Sequence, residues 1–461
     1  MPSREQLSSH RIMHPLRWAT FLLSIVGPRL ASQTPATALL TPTTRLHAVN
    51  TRPVWKEHRG RQALHLAPLP GQEQATDQEM WAVIEGTDFS DGVIDVDVSG
   101  ARRAGYATDN ASAFKGFVGV SFRVRGDTAE RFYLRPENAR LDDQLFRNRS
   151  TQYEALPDAP WQLLRREAPG LYESYADMEP GGWTHLRIEV RGRTARLFVN
   201  GATQPALVVP ELKHGASRGA IALWTRISAD AYFANLQLSP LPSSPPPAPT
   251  RAGTTRRTAN SGATLPVIGE TINGRVESTT FDGHPALHFI VDPAKARTDE
   301  AMFGFIEGAP FTNGRIDFTV AARPRPDAPA DSRGFVGLSF RTGPHATWSE
   351  VFYLRPLNAR VDDQLRRNHT LQYVSAPDFP WPVLRKESPG TYESYADLEV
   401  GGWIDVRIDV DGTRARLFIN GAAEPSLVVN DLKHGDGGGQ VALWAHVETD
   451  AWFGPVTITR R

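Results

Sequence analysis

The chain of 461 residues contains no cysteine, which excludes disulfide staples, thiolate metal sites and a cysteine nucleophile together. Stability has to come from core burial. Net charge is also missing, because 51 Lys+Arg balance 51 Asp+Glu. The electrostatic footprint of a nucleic-acid binder, or of a protein held to anionic lipid by a basic patch, is therefore lacking. Neutral ligands such as sugars remain open. Long hydrophobic runs are scarce, and no segment reaches a transmembrane length. Trp18–Gly27, preceded by Arg11 and Arg17, is too short to span a bilayer but has the size of a signal-peptide apolar region. Small residues follow at Leu30–Ser32 and Ala36–Ala38. Residues 1–38 are expected to be a signal peptide. The mature chain is then periplasmic or extracellular, with no membrane span and no nucleic-acid partner.

What the chain does contain is 38 Gly, 36 Pro, 9% aromatic residues and 40% hydrophobic residues, with few helix-period runs. This composition excludes a wholly disordered chain and leans toward an all-β protein with many turns. An internal duplication dominates the rest. Tyr133–Gln144 returns as Tyr353–Gln364 at an offset of 220, and the register holds without a gap to Lys213–Gly215 and Lys433–Gly435. Upstream the offset drifts, 218 for Gly116–Gly119 against Gly334–Gly337 and 222 for Ile84–Gly86 against Ile306–Gly308. Between the copies, residues 240–264 form a Pro-rich, semi-rigid linker. Two whole domains are expected, at 45–239 and 265–461, each folding alone.

Within each copy the apolar period is two. Val118, Val120, Phe122 and Val124 alternate with Gly119, Ser121 and Arg123, and Leu186, Ile188 and Val190 alternate with Arg187 and Glu189. Asn200-Gly201 marks a tight turn. Many short strands separated by turn signals describe an antiparallel β-sandwich. On this reading Arg123, Tyr133 and Arg135 share a concave face.

The order Gly116-Phe-Val-Gly-Val-Ser-Phe-Arg123, Trp183, Ala195-Arg-Leu-Phe-Val-Asn-Gly201, Gly219-Ala-Ile-Ala-Leu-Trp224 and Tyr232-Phe-Ala-Asn-Leu236 resembles the concanavalin A-like lectin/glucanase jelly roll. Within that superfamily it is similar to the laminin-G-like and 3-keto-disaccharide hydrolase domains of secreted bacterial proteins. The resemblance implies two curved sheets, an oligo- or polysaccharide partner and, in some members, a structural calcium ion. The Glu-x-Asp-x-x-Glu motif of laminarinase-type members is not found. No metal site and no cofactor are expected from the residues themselves.

From Arg135 to Asp177 the alternation lapses, and polar and aromatic residues crowd together. Amides, carboxylates and Arg forks can bond sugar hydroxyls, and aromatic faces can stack on the sugar ring. The expected ligand-binding residues are Arg135, Asn138, Arg140, Gln144, Tyr153, Trp161 and Tyr172, with Arg355, Asn358, Arg360, Gln364, Tyr373, Trp381 and Tyr392 in the second copy. For hydrolysis, which needs two carboxyl groups at a set separation, the candidates are Asp143, Glu167 and Glu173, and Asp363, Glu387 and Glu393. Three functions compete: a secreted carbohydrate-binding protein, a glycoside hydrolase or lyase, and a structural or adhesion scaffold. In the last, an Arg–Asp and Tyr network merely stiffens the loop. An open groove lined by Arg135, Tyr153 and Trp161 speaks for a ligand site, and a closed, self-paired loop for the scaffold.

Overall fold

A computed structural model describes residues 37–107, 115–242, 264–308 and 310–461. Residues 1–36 of the expected signal peptide and most of the expected linker lie outside the described residues, while the last two residues of the expected signal peptide, Thr37–Ala38, pair as a strand with Gln237 and Leu238. The rest is two antiparallel β-sandwiches within one compact unit.

In the first sandwich one sheet runs in the order Leu207–Val209, Thr194–Val199, Thr184–Arg191, Gly92–Arg102, Ala229–Ser239, Arg61–Pro68, Thr51–His58, with Thr37–Ala38 added beside Ala229–Ser239. The facing sheet runs Glu173–Ser174, Thr151–Leu156, Thr128–Leu134, Val118–Arg125, Gly219–Arg226, Glu79–Phe89, Leu46–Val49. The second sandwich repeats this plan in two seven-stranded sheets. Neighbouring strands are often distant in sequence, as when Val118–Arg125 pairs Gly219–Arg226, which is the crossing pattern of a jelly roll.

The period-two reading places the core. Leu186, Ile188 and Val190 are fully buried, and Val118, Val120 and Phe122 meet them from the opposite sheet in one apolar cluster. The second sandwich has its own cluster, centred on Ile316, Leu338, Phe352 and Ile408, and the two clusters share no residue. Asn200 (φ 53°) and Gly201 (φ 71°) form the expected tight turn, closed by the Ala202 N–H on the Val199 carbonyl.

One strand departs from simple alternation. Arg123 has φ 55° and sits at a register shift between Phe122 and Arg125. The bulge puts Val124 in an apolar group apart from the core and turns the Arg123 guanidinium into the loops at the strand end. There it is buried and donates to the carbonyls of Ser90, Gly192 and Gly215 and to Asp91. Arg123 is thus a loop fastener and not a concave-face residue. Arg341, φ 49°, does the same in the second copy.

Candidate functional site

In each sandwich the sheet containing Tyr133 or Tyr353 carries aromatic residues on the face turned away from the core. Cross-strand pairing lines up Trp81, Trp224, Gly119, Tyr133, Gln152 and Glu173 in one row. Glycine is required in the middle of it. A Cβ at Gly119 would lie 2.5 Å from the Cβ of Tyr133, and its absence lets Tyr133 lean to 5.0 Å from the Trp224 ring. The second sandwich builds the same row from Phe303, Trp444, Gly337, Tyr353, Gln372 and Glu393.

The adjoining row differs. In the first sandwich Arg131 is fully buried, with its guanidinium 4.3 Å from the Trp81 ring and 4.2 Å from the Trp224 ring. It donates to Ser121 Oγ, to Glu154 at 2.8 Å and to Glu79 at 3.1 Å. Burial alone would raise the Glu79 carboxyl, but the charge and hydrogen bond of Arg131 outweigh it and hold Glu79 below the usual carboxylate range. At the equivalent places the second sandwich has Val351, Val374 and Ala301, grouped with Tyr353, Trp444, Phe303 and Phe335. One outer face has a charged floor and the other an apolar one.

At the margin of each face stands a tryptophan at the start of a short helix, Trp161–Glu167 or Trp381–Glu387. The Trp161 N–H of the backbone donates to Glu154. Arg165 lies 4.5 Å over the Trp161 ring and forms an ion pair with Glu173 at 2.6 Å; Arg385 lies 4.6 Å over Trp381 and pairs with Glu393 at 2.7 Å. Trp161 is half-buried, and Trp381 is 40% exposed.

The other residues expected to bind ligand are committed elsewhere. Arg135 is buried and donates to Tyr133 Oη, Gln152 Oε1 and the Arg149 carbonyl; Arg355 repeats this with Tyr353, Gln372 and His369. Tyr153 and Tyr373 belong to the cores, their hydroxyls donating to Glu130 and Glu350 at 2.5 Å. Tyr172 and Tyr392 pack on those rings at 5.4 and 5.5 Å, which leaves no open stacking face at Tyr153 or Tyr373. Asn138 and Asn358 are buried and donate to the carbonyls of Arg149 and His369.

Arg140, Gln144 and Gln364 face the other sandwich. Gln144 Oε1 accepts from Val428 N–H at 2.8 Å, and Gln364 Oε1 from Val208 N–H at 2.7 Å. Each glutamine also donates to a neighbouring asparagine, Asn148 or Asn368. Asn148 then donates across to the carbonyls of Gly390 and Glu393, and Asn368 to those of Gly170 and Glu173. Arg140 pairs with Asp177 and reaches Glu424; Arg360 pairs with Asp397. The polar loop is therefore largely closed, part of it on itself and part on its counterpart: Arg135 and Tyr153 line no open groove, and the loop itself has the self-paired form expected of a scaffold. Of the aromatic residues expected to bind ligand, only Trp161 and Trp381 at its margin keep solvent contact. A cleft of about 390 Å³ remains on this seam, bounded by Tyr175, Asp177 and Asn200 and by Tyr395, Asp397 and Asn420.

The expected catalytic carboxylates do not converge on a reacting bond. Asp143 and Asp363 cap the helices Gln144–Arg147 and Gln364–Asn368 through the N–H groups of Phe146 and Arg366. Glu167 and Glu387 are exposed at helix ends. Glu173 is paired with Arg149 and Arg165. Burial pushes the Glu393 carboxyl up, but hydrogen bonds and charge from His369 and Arg385 hold it below its ordinary range. A general acid needs the opposite shift. Among the described residues no three His, Asp or Glu side chains are grouped to hold a metal ion. No described helix is long and apolar enough to cross a membrane, which says nothing of a β-barrel.

Sequence reasoning missed Glu79, Trp81, Arg131, Glu154 and Trp224. Their signal is a difference between copies: three charged positions on one face become Ala301, Val351 and Val374 together.

No family model matches the chain, and no curated protein sequence matches it. Among solved structures it is similar to the carbohydrate-binding module CBM66 from Bacillus subtilis, at 15% identity over 43% of this chain and 96% of that one, with a TM-score of 0.29. It is also similar to a putative glycosyl hydrolase from Parabacteroides distasonis, at 14% identity over 41% and 90%, TM-score 0.24. A protein with a galectin-like fold from Bacillus subtilis shows 13% identity over 42% and 90%, TM-score 0.28. Ligand and activity rest on this chain's own residues.

Proposed function

We propose that the chain is an exported, non-catalytic carbohydrate-binding protein, with one saccharide platform on the outer sheet face of each sandwich. The observation that supports this reading is the Trp161/Trp381 pair. Each indole keeps solvent contact at the edge of an aromatic row and is held in place by an Arg–Glu pair, so little side-chain entropy is lost when a sugar ring stacks on it. Binding is favoured over hydrolysis because the candidate carboxylates are committed elsewhere: Asp143 and Asp363 cap helices, Glu167 and Glu387 stand exposed at helix ends, and Glu173 and Glu393 are paired with Arg165 and Arg385. Arg135 and Arg355 serve as supports for Tyr133 and Tyr353.

The test is a screen of neutral oligo- and polysaccharides by affinity electrophoresis, comparing the wild type with Trp161→Ala/Trp381→Ala. Retention lost in the double variant, with unchanged melting and no new reducing ends, is expected. Reducing ends abolished by Glu173→Gln/Glu393→Gln would establish a hydrolase instead. If nothing is retained or cleaved, the scaffold reading replaces both. Export is checked by mass spectrometry of the cell-derived protein, where a chain starting near residue 33 or 39 is expected and an intact Met1 or Met13 would contradict it.

A further inference from the structure

Contacts across the seam come in pairs related by the duplication offset. Asn148 donates to Gly390 O at 2.8 Å and Glu393 O at 2.7 Å; Asn368 donates to Gly170 O at 2.7 Å and Glu173 O at 2.8 Å. Ser174 Oγ donates to Asn368 Oδ1, and Ser394 Oγ to Asn148 Oδ1. Arg147 donates to the Pro425 carbonyl and Arg367 to the Pro205 carbonyl. Asp142 accepts from Arg416 and Asp362 from Arg196. In every case the donor and the acceptor of one contact have counterparts 220 residues away that make the reciprocal contact.

That is the geometry of an isologous interface, in which residue i touches j and j touches i. One half alone therefore carries both sides of each contact. The second half has Asn368 and also Gly390 and Glu393, Gln364 and also Val428, Arg367 and also Pro425, Asp362 and also Arg416. Each half also has its own apolar core. We infer that the seam face is self-complementary, so that each sandwich docks on a second copy of itself as well as on its neighbour in the chain, and that the second sandwich does so more tightly than the first.

The ranking follows from the contacts that break the symmetry. Arg140 reaches Glu424, but the position matching Glu424 in the first half is Gln204, so the reciprocal ion pair from Arg360 is absent. Asn430 donates to the Asp142 carbonyl at 2.7 Å, and its counterpart is Pro210, which has no donor. A pair of second halves would hold both interactions twice, a pair of first halves neither, and the native pair each once. With partly exposed groups of this kind, the dissociation constants of the two homotypic pairs should differ by about tenfold.

The experiment starts from the full chain with a protease site inserted in residues 243–263. After cleavage, two preparations with different tags on the second half are mixed at micromolar concentration and analysed by native mass spectrometry. Exchange that yields second-half pairs carrying both tags is expected. Strict pairing of first with second halves would overturn the proposal without requiring either half to refold alone. Sedimentation of the separated halves, with cooperative melting as the check on folding, is expected to show both as dimers, the second half dissociating at about tenfold lower concentration. Folded monomers, or first-half dimers of equal strength, would refute it. Glu424→Gln/Asn430→Ala should bring the second-half dimer to the level of the first.

Discussion

The outer sheet faces of the two sandwiches have diverged in their charged floor, whereas the seam between them has kept its paired amide, Arg and Ser contacts in both copies and differs at Glu424/Gln204 and Asn430/Pro210. The first face has Arg131 between Trp81 and Trp224, bridging Glu79 and Glu154; the second has Val351, Ala301 and Val374 in their places. Across the seam Asn148/Asn368, Gln144/Gln364, Arg147/Arg367 and Ser174/Ser394 are identical pairs. The physical reason is what each residue answers to. A seam residue must fit a partner that is itself a copy of its own surroundings, so a change on one side leaves a buried group unpaired on the other. An outer-face residue answers only to its own sheet and to whatever lies on it. A charge cluster can leave such a face, but only as a set, because one stranded charge costs more than the complete cluster.

The sharpest way to break the comparison is Arg131→Met, which leaves Glu79 and Glu154 without their shared cation. A loss of about 3–5 kcal/mol is expected in urea unfolding of the full chain. Arg131→Val/Glu79→Ala/Glu154→Val, which copies the second sandwich, should recover most of it; a triple variant as weak as the single one would show that the two floors are not interchangeable. The shared part of the design is probed by Gly119→Ala and Gly337→Ala. Both place a Cβ within 3 Å of the neighbouring tyrosine strand and should each cost about 1–3 kcal/mol, equally in the two copies. Asn148→Ala should cost about 1–2 kcal/mol, since two carbonyls of the other sandwich lose their donor. Its distinguishing sign is faster amide exchange around Gly390–Glu393, in the half that was not mutated.

The smallest effect concerns pH. His369 stands where the first copy has Arg149, and burial lowers its pKa below the ordinary 6.5 despite the Glu393 carboxylate beside it. As pH falls through that ordinary value, the unfolded chain takes up a proton that the folded chain refuses, so stability declines. Glu393, held below its usual range, adds a second loss only at more acid pH. His369→Arg should flatten the melting temperature between pH 7.5 and 5.5 while leaving the acid limb in place.

The strands were legible because period-two alternation follows from one face being buried, as at Leu186, Ile188 and Val190. The bulge at Arg123 was not, since the sign of φ for a non-glycine residue leaves no mark in the apolar pattern. The polar loop was visible as a feature, but its use was not. An amide or Arg fork that binds a sugar hydroxyl is the same group as one that binds a backbone carbonyl of the neighbouring copy, as Asn148 and Gln144 do. Only Trp161 and Trp381, of the aromatic residues expected there, keep solvent contact in both copies. The charged floor was readable only by setting the copies side by side at every second residue.

The asparagine clasp has a mechanical consequence. Were the two sandwiches joined by the Pro-rich segment alone, tether length would set how readily a bound polymer found the second platform. If each sandwich binds saccharide as proposed, the clasp replaces that loose distance with a built-in one, and the molecule then acts as a gauge: a repeating ligand whose period matches the spacing engages both sites without further loss of entropy, and one that does not match gains nothing from the duplication.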